Sequence, residues 1–516
     1  MPSSSGGAGE RNRLLDAGAT SEATLNSLQL PSALDVCLDA CGTFGACQQR
    51  AVLWTSSVFM TTAMSIIITV FTAREPNFEC RNGARSTWQS CDMKAACALP
   101  EVDWRYAEGE MEQTLAASFN LVCDRYYIVG GIGTAYFVGF MAGAAVFGYL
   151  SDVCGRRTTT KLAMSLFITS AMLEGTSPSA IVYALLRFVT GTAVSGFGLV
   201  AFTLTSEMIA NEKRSLYGVS TNACFALGEM SLALPLAYYV RNWRTLSMCV
   251  GAINALHLLR WNSMIESPRW LMTMRRPRLA YDALLSIARV NGRSSDAENH
   301  SMLEKLNADV GITDEEQRES EGTTSTVDSP GFMSLFAHKP VAVFAMMFAW
   351  TVSSMVFYGL SFAAGNIPGS SIYTNSFALS FFEIPGVVST LWMLESPMGR
   401  KGTTVASMLV AGVSCVAVFF ASSADHTKLI LSVMGKLGIS AAFSTVYMYA
   451  SELFPTSNRT KGMALCSLSA RVGTFIAPQI VNMGGGIPFL IFGALGCLGA
   501  CTSMLLPETR GQRLKD

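Results

Sequence analysis

Residues 148–157 read GYLSDVCGRR. They close an apolar run, 126–150, long enough to cross a hydrocarbon core of about 30 Å. An acid, a glycine and two arginines follow at once, and the next apolar run opens at Leu162. So short a turn joins two membrane helices almost end to end. Basic residues just outside a span mark its cytosolic end. Asp152 beside Arg156 and Arg157, around Gly155, also has the groups for a charged latch that locks one arrangement of a helix bundle and releases another. Plain orientation and latching both fit these residue types.

The rest of the chain repeats the theme. It has 516 residues, half of them hydrophobic and 14% charged, with a net charge of zero. That balance argues against nucleic acid as a partner. The apolar residues fall in blocks of about 20, the length of a membrane helix. Twelve spans are expected, near 51–72, 126–150, 158–174, 179–206, 215–239, 243–264, 340–362, 372–394, 403–421, 428–450, 461–483 and 487–506. Turns after even-numbered spans carry Arg156, Arg157, Lys161, Lys213, Arg214, Arg400, Lys401, Arg459 and Lys461. The opposite turns at 175–178, 363–371 and 484–486 carry no Lys or Arg; Arg241, Arg244 and Lys428 fit less well. The bias puts both termini in the cytosol. Residues 1–30 are rich in Ser, Gly and Ala, with no apolar core of a signal peptide.

The expected organisation is an all-α membrane protein with two pseudo-repeated six-helix halves. A cytosolic tail, 1–50, precedes the first half, 51–264, which includes an extracellular loop, 73–124. A cytosolic central loop, 265–339, leads to the second half, 340–506, and a short cytosolic tail, 507–516. The extracellular loop holds Cys80, Cys91, Cys97 and Cys123. Facing an oxidising exterior, these suit two disulfides, with three connectivities open. The halves echo one another: SEMIANEKR places Glu207 seven residues before Arg214, and SELFPTSNR places Glu452 seven before Arg459. SPMGRK, 396–401, is a degraded copy of the opening stretch, its acid (Glu395) displaced by one position. Repeats around a central loop are how many carriers build alternating access, with the solute site between the halves.

Ionisable groups inside a span are functional candidates, because burying them in lipid is costly. Glu207, Glu452, Arg214 and Arg459 sit at cytosolic ends and suit gate salt bridges. Arg187 and Lys436 suit snorkelling or pairing with a neighbouring helix. Three charges lie deeper: Glu229 in span five, Glu383 two residues before Pro385 in span eight, and Arg471 in span eleven. Pro385 should loosen its helix. Arg471 can pair with Glu229 or Glu383, or receive an anionic solute through its two-pronged guanidinium. Aromatic residues crowd the same spans, among them Tyr358, Phe381 and Tyr447.

Residues 148–157 resemble the loop signature G-x-x-x-D-x-x-G-R-R of the major facilitator superfamily. The whole chain resembles that superfamily's organic cation, organic anion and carnitine transporters. GTFGACQQR, FNLVCDRYY, LRFVTG, ESPRWLM, VFYGL, FFEIPG, ELFPTSNR, ARVG and PETRG carry the resemblance in order. It implies twelve helices and a polyspecific uniporter or exchanger. Cation carriers of that family have aspartate where Arg471 stands; anion and carnitine carriers have arginine. Ser195 replaces a lysine frequent in cation carriers. Glu383 is shared with cation and carnitine carriers, while Glu229 is an additional acid. The extracellular loop departs from the family in lacking a glycosylation sequon.

The expected function is secondary transport of small organic ions, anionic or zwitterionic, such as carnitine-like or betaine-like solutes, in the plasma membrane. Arg471, Glu383, Glu229, Tyr358, Phe381 and Tyr447 are the expected solute contacts. Asp152, Gly155, Arg156, Arg157, Glu207, Arg214, Arg400, Glu452 and Arg459 are the expected gate. An organic cation or sugar facilitator, and a non-transporting nutrient receptor, are the alternatives. There is no nucleotide loop G-x-x-x-x-G-K, no metal-ligand cluster, and only His257 of four histidines lies in a span. An enzyme, a cofactor, a metal and an obligate protein partner are therefore not expected.

Overall fold

Backbone N–H and C=O groups cannot go unpaired in lipid, so each apolar run must coil into a helix. A computed structural model describes residues 33–81, 87–100, 103–209, 214–293, 340–421, 426–454 and 459–510. The helices before the central loop are α1 Ala46–Thr72, α2 Tyr127–Cys154, α3 Arg156–Glu174, α4 Ala180–Ser206, α5 Arg214–Ser231 and α6 Trp243–Ala255. Those after it are α7 Pro340–Phe362, α8 Ile372–Glu395, α9 Gly399–Phe420, α10 Thr427–Leu453, α11 Arg459–Val481 and α12 Ile487–Ser503. Eight of the described helices are long and apolar enough to cross a membrane by length and composition. The shorter or more polar α3, α5, α6 and α12 complete the twelve. Of the expected tails, residues 1–32 and 511–516 fall outside the described residues, as does the central loop over 294–339.

Local chemistry sets the helix ends. Ser179, Asn242 and Ser371 accept backbone N–H groups at the starts of α4, α6 and α8. Gly155, at φ 94°, divides α2 from α3, and Gly399 starts α9 at φ 62°; side-chain-bearing residues rarely adopt such angles. α5 continues into a π-helical turn, Leu232–Leu236, at Pro235. There Ala237 N donates to Leu232 O over 2.8 Å, one residue further back than the α pattern, because the proline has no N–H. α8 runs unbroken through Pro385, where the sequence suggested loosening.

Small residues bring helices together. A Cβ at Gly139 would stand 2.0 Å from Phe188 O, and one at Gly143 would stand 2.1 Å from Thr192 O. α2 and α4 therefore cross backbone to backbone. In the first set α3 packs on α4 and α6; in the second α9 packs on α10 and α12. Between the sets, α2 packs on α11 and α5 on α8. The second helix of each six thus meets the fifth of the other, as a pseudo-twofold relation requires.

Between α1 and α2 stands a small antiparallel sheet in the order β2-β1-β3, with β1 Phe78–Cys80, β2 Gln89–Cys91 and β3 Trp104–Tyr106. Phe78, opposite both Cys91 and Tyr106, is buried at its centre. The disulfides are Cys80–Cys91 and Cys97–Cys123, one of the three open connectivities.

A separate compact unit is built from residues 33–47, 208–209 and 267–293. Its helices are Ala33–Ala40, Pro268–Thr273 and Pro277–Val290. The last buries Ala280, Leu284 and Ile287, and the first buries Leu34, Cys37 and Leu38. Asn291 fastens the unit, donating to Cys41 O at 2.8 Å and accepting from Cys47 N at 2.9 Å. From residue 33 onward, the expected N-terminal tail is folded, because it has this apolar face to bury.

Candidate solute site and helix-end latches

The opening stretch forms an ion cluster. Arg156, first residue of α3, reaches back to Asp152 at 2.8 Å and across to Glu207 at the end of α4 at 3.3 Å. Arg156 also donates to Ser151 O. Arg157 does not join through its side chain: its backbone N–H meets Glu266 at 2.9 Å, and its Nε is buried without a partner. Glu266 thus puts a carboxylate on the N-terminal end of α3, where the helix dipole favours negative charge. The second set copies this. Arg400 meets Glu452 at 3.1 Å and donates to Leu394 O. Glu452 also accepts from Thr509 Oγ1 at 2.6 Å. Glu508 accepts the Arg400 and Lys401 N–H groups at 2.9 and 3.1 Å.

Burial works against ionising Glu508, but the N–H groups of Arg510, Arg400, Lys401 and Thr509 outweigh it and hold its carboxyl below the usual range. Glu395 stands one residue further from its arginine than Asp152 does. Only its backbone carbonyl takes part, accepting from Arg510, and its exposed side chain stays out of the cluster. The side chains of Arg214 and Arg459 lie outside the described residues. Glu266 and Glu508 were visible in ESPRWLM and PETRG, but without the fold nothing told that they cap distant helices.

Deeper charges divide into paired and unpaired. Arg187 is 1% exposed. It faces Glu174 at 3.6 Å, donates to Ser65 O and Thr69 Oγ1, and covers the Tyr136 ring at 4.1 Å. Lys436 faces Glu383 at 3.5 Å, donates to Ser361 Oγ at 2.8 Å and lies 3.4 Å from the Phe357 ring centre. The sequence offered Glu383 as a partner for Arg471; the structure gives it to Lys436, because α8 and α10 pack together. Glu174 was missed: it ends its span, where an acid reads as an interfacial residue.

Arg471 has no ion pair among the described residues, and its guanidinium lies 4.7 Å over the Phe140 ring. Glu229, 1% exposed, accepts from Ser380 Oγ at 2.8 Å through Oε2, while Oε1 has no partner. Tyr358 is the common neighbour, within electrostatic reach of Arg471, Tyr447, Glu229 and Glu383. Tyr447 packs on Trp350 at 4.1 Å and feels Arg471. Phe381 is 46% exposed, stacks on Phe377 and meets Phe382 edge-on; no described contact ties it to the charges.

A cleft of about 1100 Å³ opens on the side of the disulfide loop, lined by Arg74, Asn77, Tyr238, Arg241 and Tyr373 among others. None of the six expected solute contacts lines it. Phe137 and Phe362 form its floor, and both rings touch Tyr358, at 5.8 and 6.4 Å. Tyr358 is therefore one aromatic contact away from the cleft lining. The sets also meet at Thr134, which donates to Phe475 O, and at Tyr373, stacked on Phe71 and edge-on to Tyr238.

The family model for the sugar (and other) transporters matches residues 103–516. The human solute carrier family 22 member 13 is 31% identical over 437 residues, covering 83% of this chain and 73% of the relative. A Drosophila melanogaster β-alanine transporter is 33% identical over 416 residues, covering 80% and 67%. Among solved structures, the inward-open xylose transporter XylE of E. coli superposes with a TM-score of 0.63 at 14% identity, covering 90% of this chain and 98% of that one.

Proposed function

This chain belongs to the sugar (and other) transporter family of the major facilitator superfamily and is a multi-pass membrane carrier of the solute carrier family 22 type; from that premise we propose that it carries small organic anions or zwitterions across the plasma membrane by alternating access. The observation that carries the reading is Arg471, a guanidinium inside a span with an aromatic ring against it and no ion pair among the described residues. A solute carboxylate is its natural partner, because a two-pronged charge-assisted contact replaces lost hydration best. The Drosophila relative named for β-alanine, a carboxylate-bearing zwitterion, is in keeping with this.

In this reading the two six-helix sets rock about the charged group, with Tyr358 and Tyr447 as its walls. The clusters on Arg156 and Arg400 hold the cytosolic ends in one arrangement. Both termini then lie in the cytosol and the disulfide loop outside, where the compartment is oxidising.

Uptake into vesicles tests the proposal with a hydrophobic organic anion, a betaine and a quaternary ammonium cation, for wild type and Arg471→Asp. The expected result is uptake of anion or betaine that the variant loses by tenfold or more. Uptake of the cation alone would make Arg471 an internal counter-charge and overturn the reading. For the gate, Glu207→Gln should slow turnover more than it weakens solute binding; weaker binding at unchanged turnover would remove Glu207 from that role.

A further inference from the structure

The two acids next to Tyr358 are not equivalent. Glu383 has the Lys436 ammonium opposite it, held in turn by Ser361 and Phe357. Glu229 has only the Ser380 hydroxyl, on one oxygen; Oε1 is buried and accepts nothing. A buried acceptor without a donor is costly; Glu174 Oε1 and Glu383 Oε2 share that state, but each of those acids faces a cation, and Glu229 faces none among the described residues. Glu229 shares the neighbourhood of Tyr358 with Arg471, which also has no ion pair among the described residues.

We propose that Glu229 is the ammonium pole of the solute site, accepting an N–H from a primary-amine zwitterion whose carboxylate lies on Arg471. The substrate class is then an ω-amino acid, in preference to the corresponding betaine. A quaternary ammonium has no N–H to give, and aromatic faces are what recognise it, whereas Glu229 offers an oxygen. The inference rests on the carboxylate–Arg471 reading above and adds the second pole.

The test is uptake by the full-length protein in vesicles, with three matched probe sets. They are β-alanine, γ-aminobutyrate and 5-aminovalerate; the N-trimethyl form of each; and propionate, butyrate and valerate. Wild type should prefer the amine over its trimethyl form by at least tenfold in apparent KM for one chain length. Glu229→Gln should reduce that ratio by tenfold or more, and Glu229→Asp should restore part of it. A wild type that favours the trimethyl forms, or makes no distinction, overturns the proposal without any variant. A ratio unmoved by Glu229→Gln overturns it too. Uptake of the amine-free acids that depends on Arg471 with no amine preference would leave the carboxylate reading standing and this one refuted. Uptake of no carboxylate at all would remove both.

Discussion

Two regions hold arginines in the membrane interior and treat them in opposite ways. Between α3, α4 and α1, Arg187 has a carboxylate, a carbonyl, a hydroxyl and a ring around it. Between α2 and α11, Arg471 has one aromatic face and no ion pair among the described residues. Arg187 is almost fully buried and Arg471 partly so, and a charge removed from water is costly in both places. The first has that cost offset by its own protein, so it is architecture. The second has no such partner among the described residues, which is what the proposed solute site requires. Lys436–Glu383 belongs with the first kind and Glu229 with the second.

The largest expected effect comes from breaking the paired region. Arg187→Ala leaves Glu174 buried and unpaired and should cost about 3–5 kcal/mol, seen as a lower melting midpoint in detergent. Replacing both partners with apolar residues of similar shape should recover most of it. A single variant that melts like wild type would show the pair to be incidental. A smaller effect, about 1–2 kcal/mol or roughly tenfold, should follow Lys436→Met. That change releases Glu383 and moves a paired acid into the unpaired class. Uptake of organic cations relative to anions should rise; an unchanged ratio would mean Glu383 does not face the solute.

The smallest effect concerns Glu508. Its carboxyl titrates lower in the folded protein than in the unfolded one. Its contribution is therefore complete above the ordinary carboxylate value, about 4.3, and is lost as pH falls through the folded value. Being only partly buried, it should contribute less than about 1 kcal/mol. Glu508→Gln should flatten the acid limb of the melting curve slightly; a steeper limb would reverse the assigned sign.

Much of this was legible in the residues. The span lengths follow from bilayer thickness, so most helices fell within a few residues of expectation, although α5 and α6 end at Ser231 and Ala255, short of the expected 239 and 264. Asp152, Arg156 and Glu207 declared themselves by residue type at a span end. Partnership was harder to read, because it depends on which helices touch. Arg400 meeting Glu452 follows from α9 packing on α10, and Lys436 taking Glu383 follows from α8 packing on α10; neither spacing is local. Trp350, packed on Tyr447, had no signal beyond being one aromatic among many. The folded region from residue 33 was missed for a similar reason. Its few apolar residues, Leu34, Cys37 and Leu38, amount to a helix face only when Leu284 and Ile287 supply the opposite surface.

The division between paired and unpaired charge is tested most directly by measuring melting midpoint and solute affinity together for Arg187→Ala and Arg471→Ala. The two effects should cross. Arg187→Ala should melt several degrees lower and still bind a carboxylate solute. Arg471→Ala should melt close to wild type and lose binding by about 2–3 kcal/mol, roughly 30- to 150-fold. If Arg471→Ala instead melts as low as Arg187→Ala while keeping its affinity, Arg471 is one more structural charge and the solute site lies elsewhere.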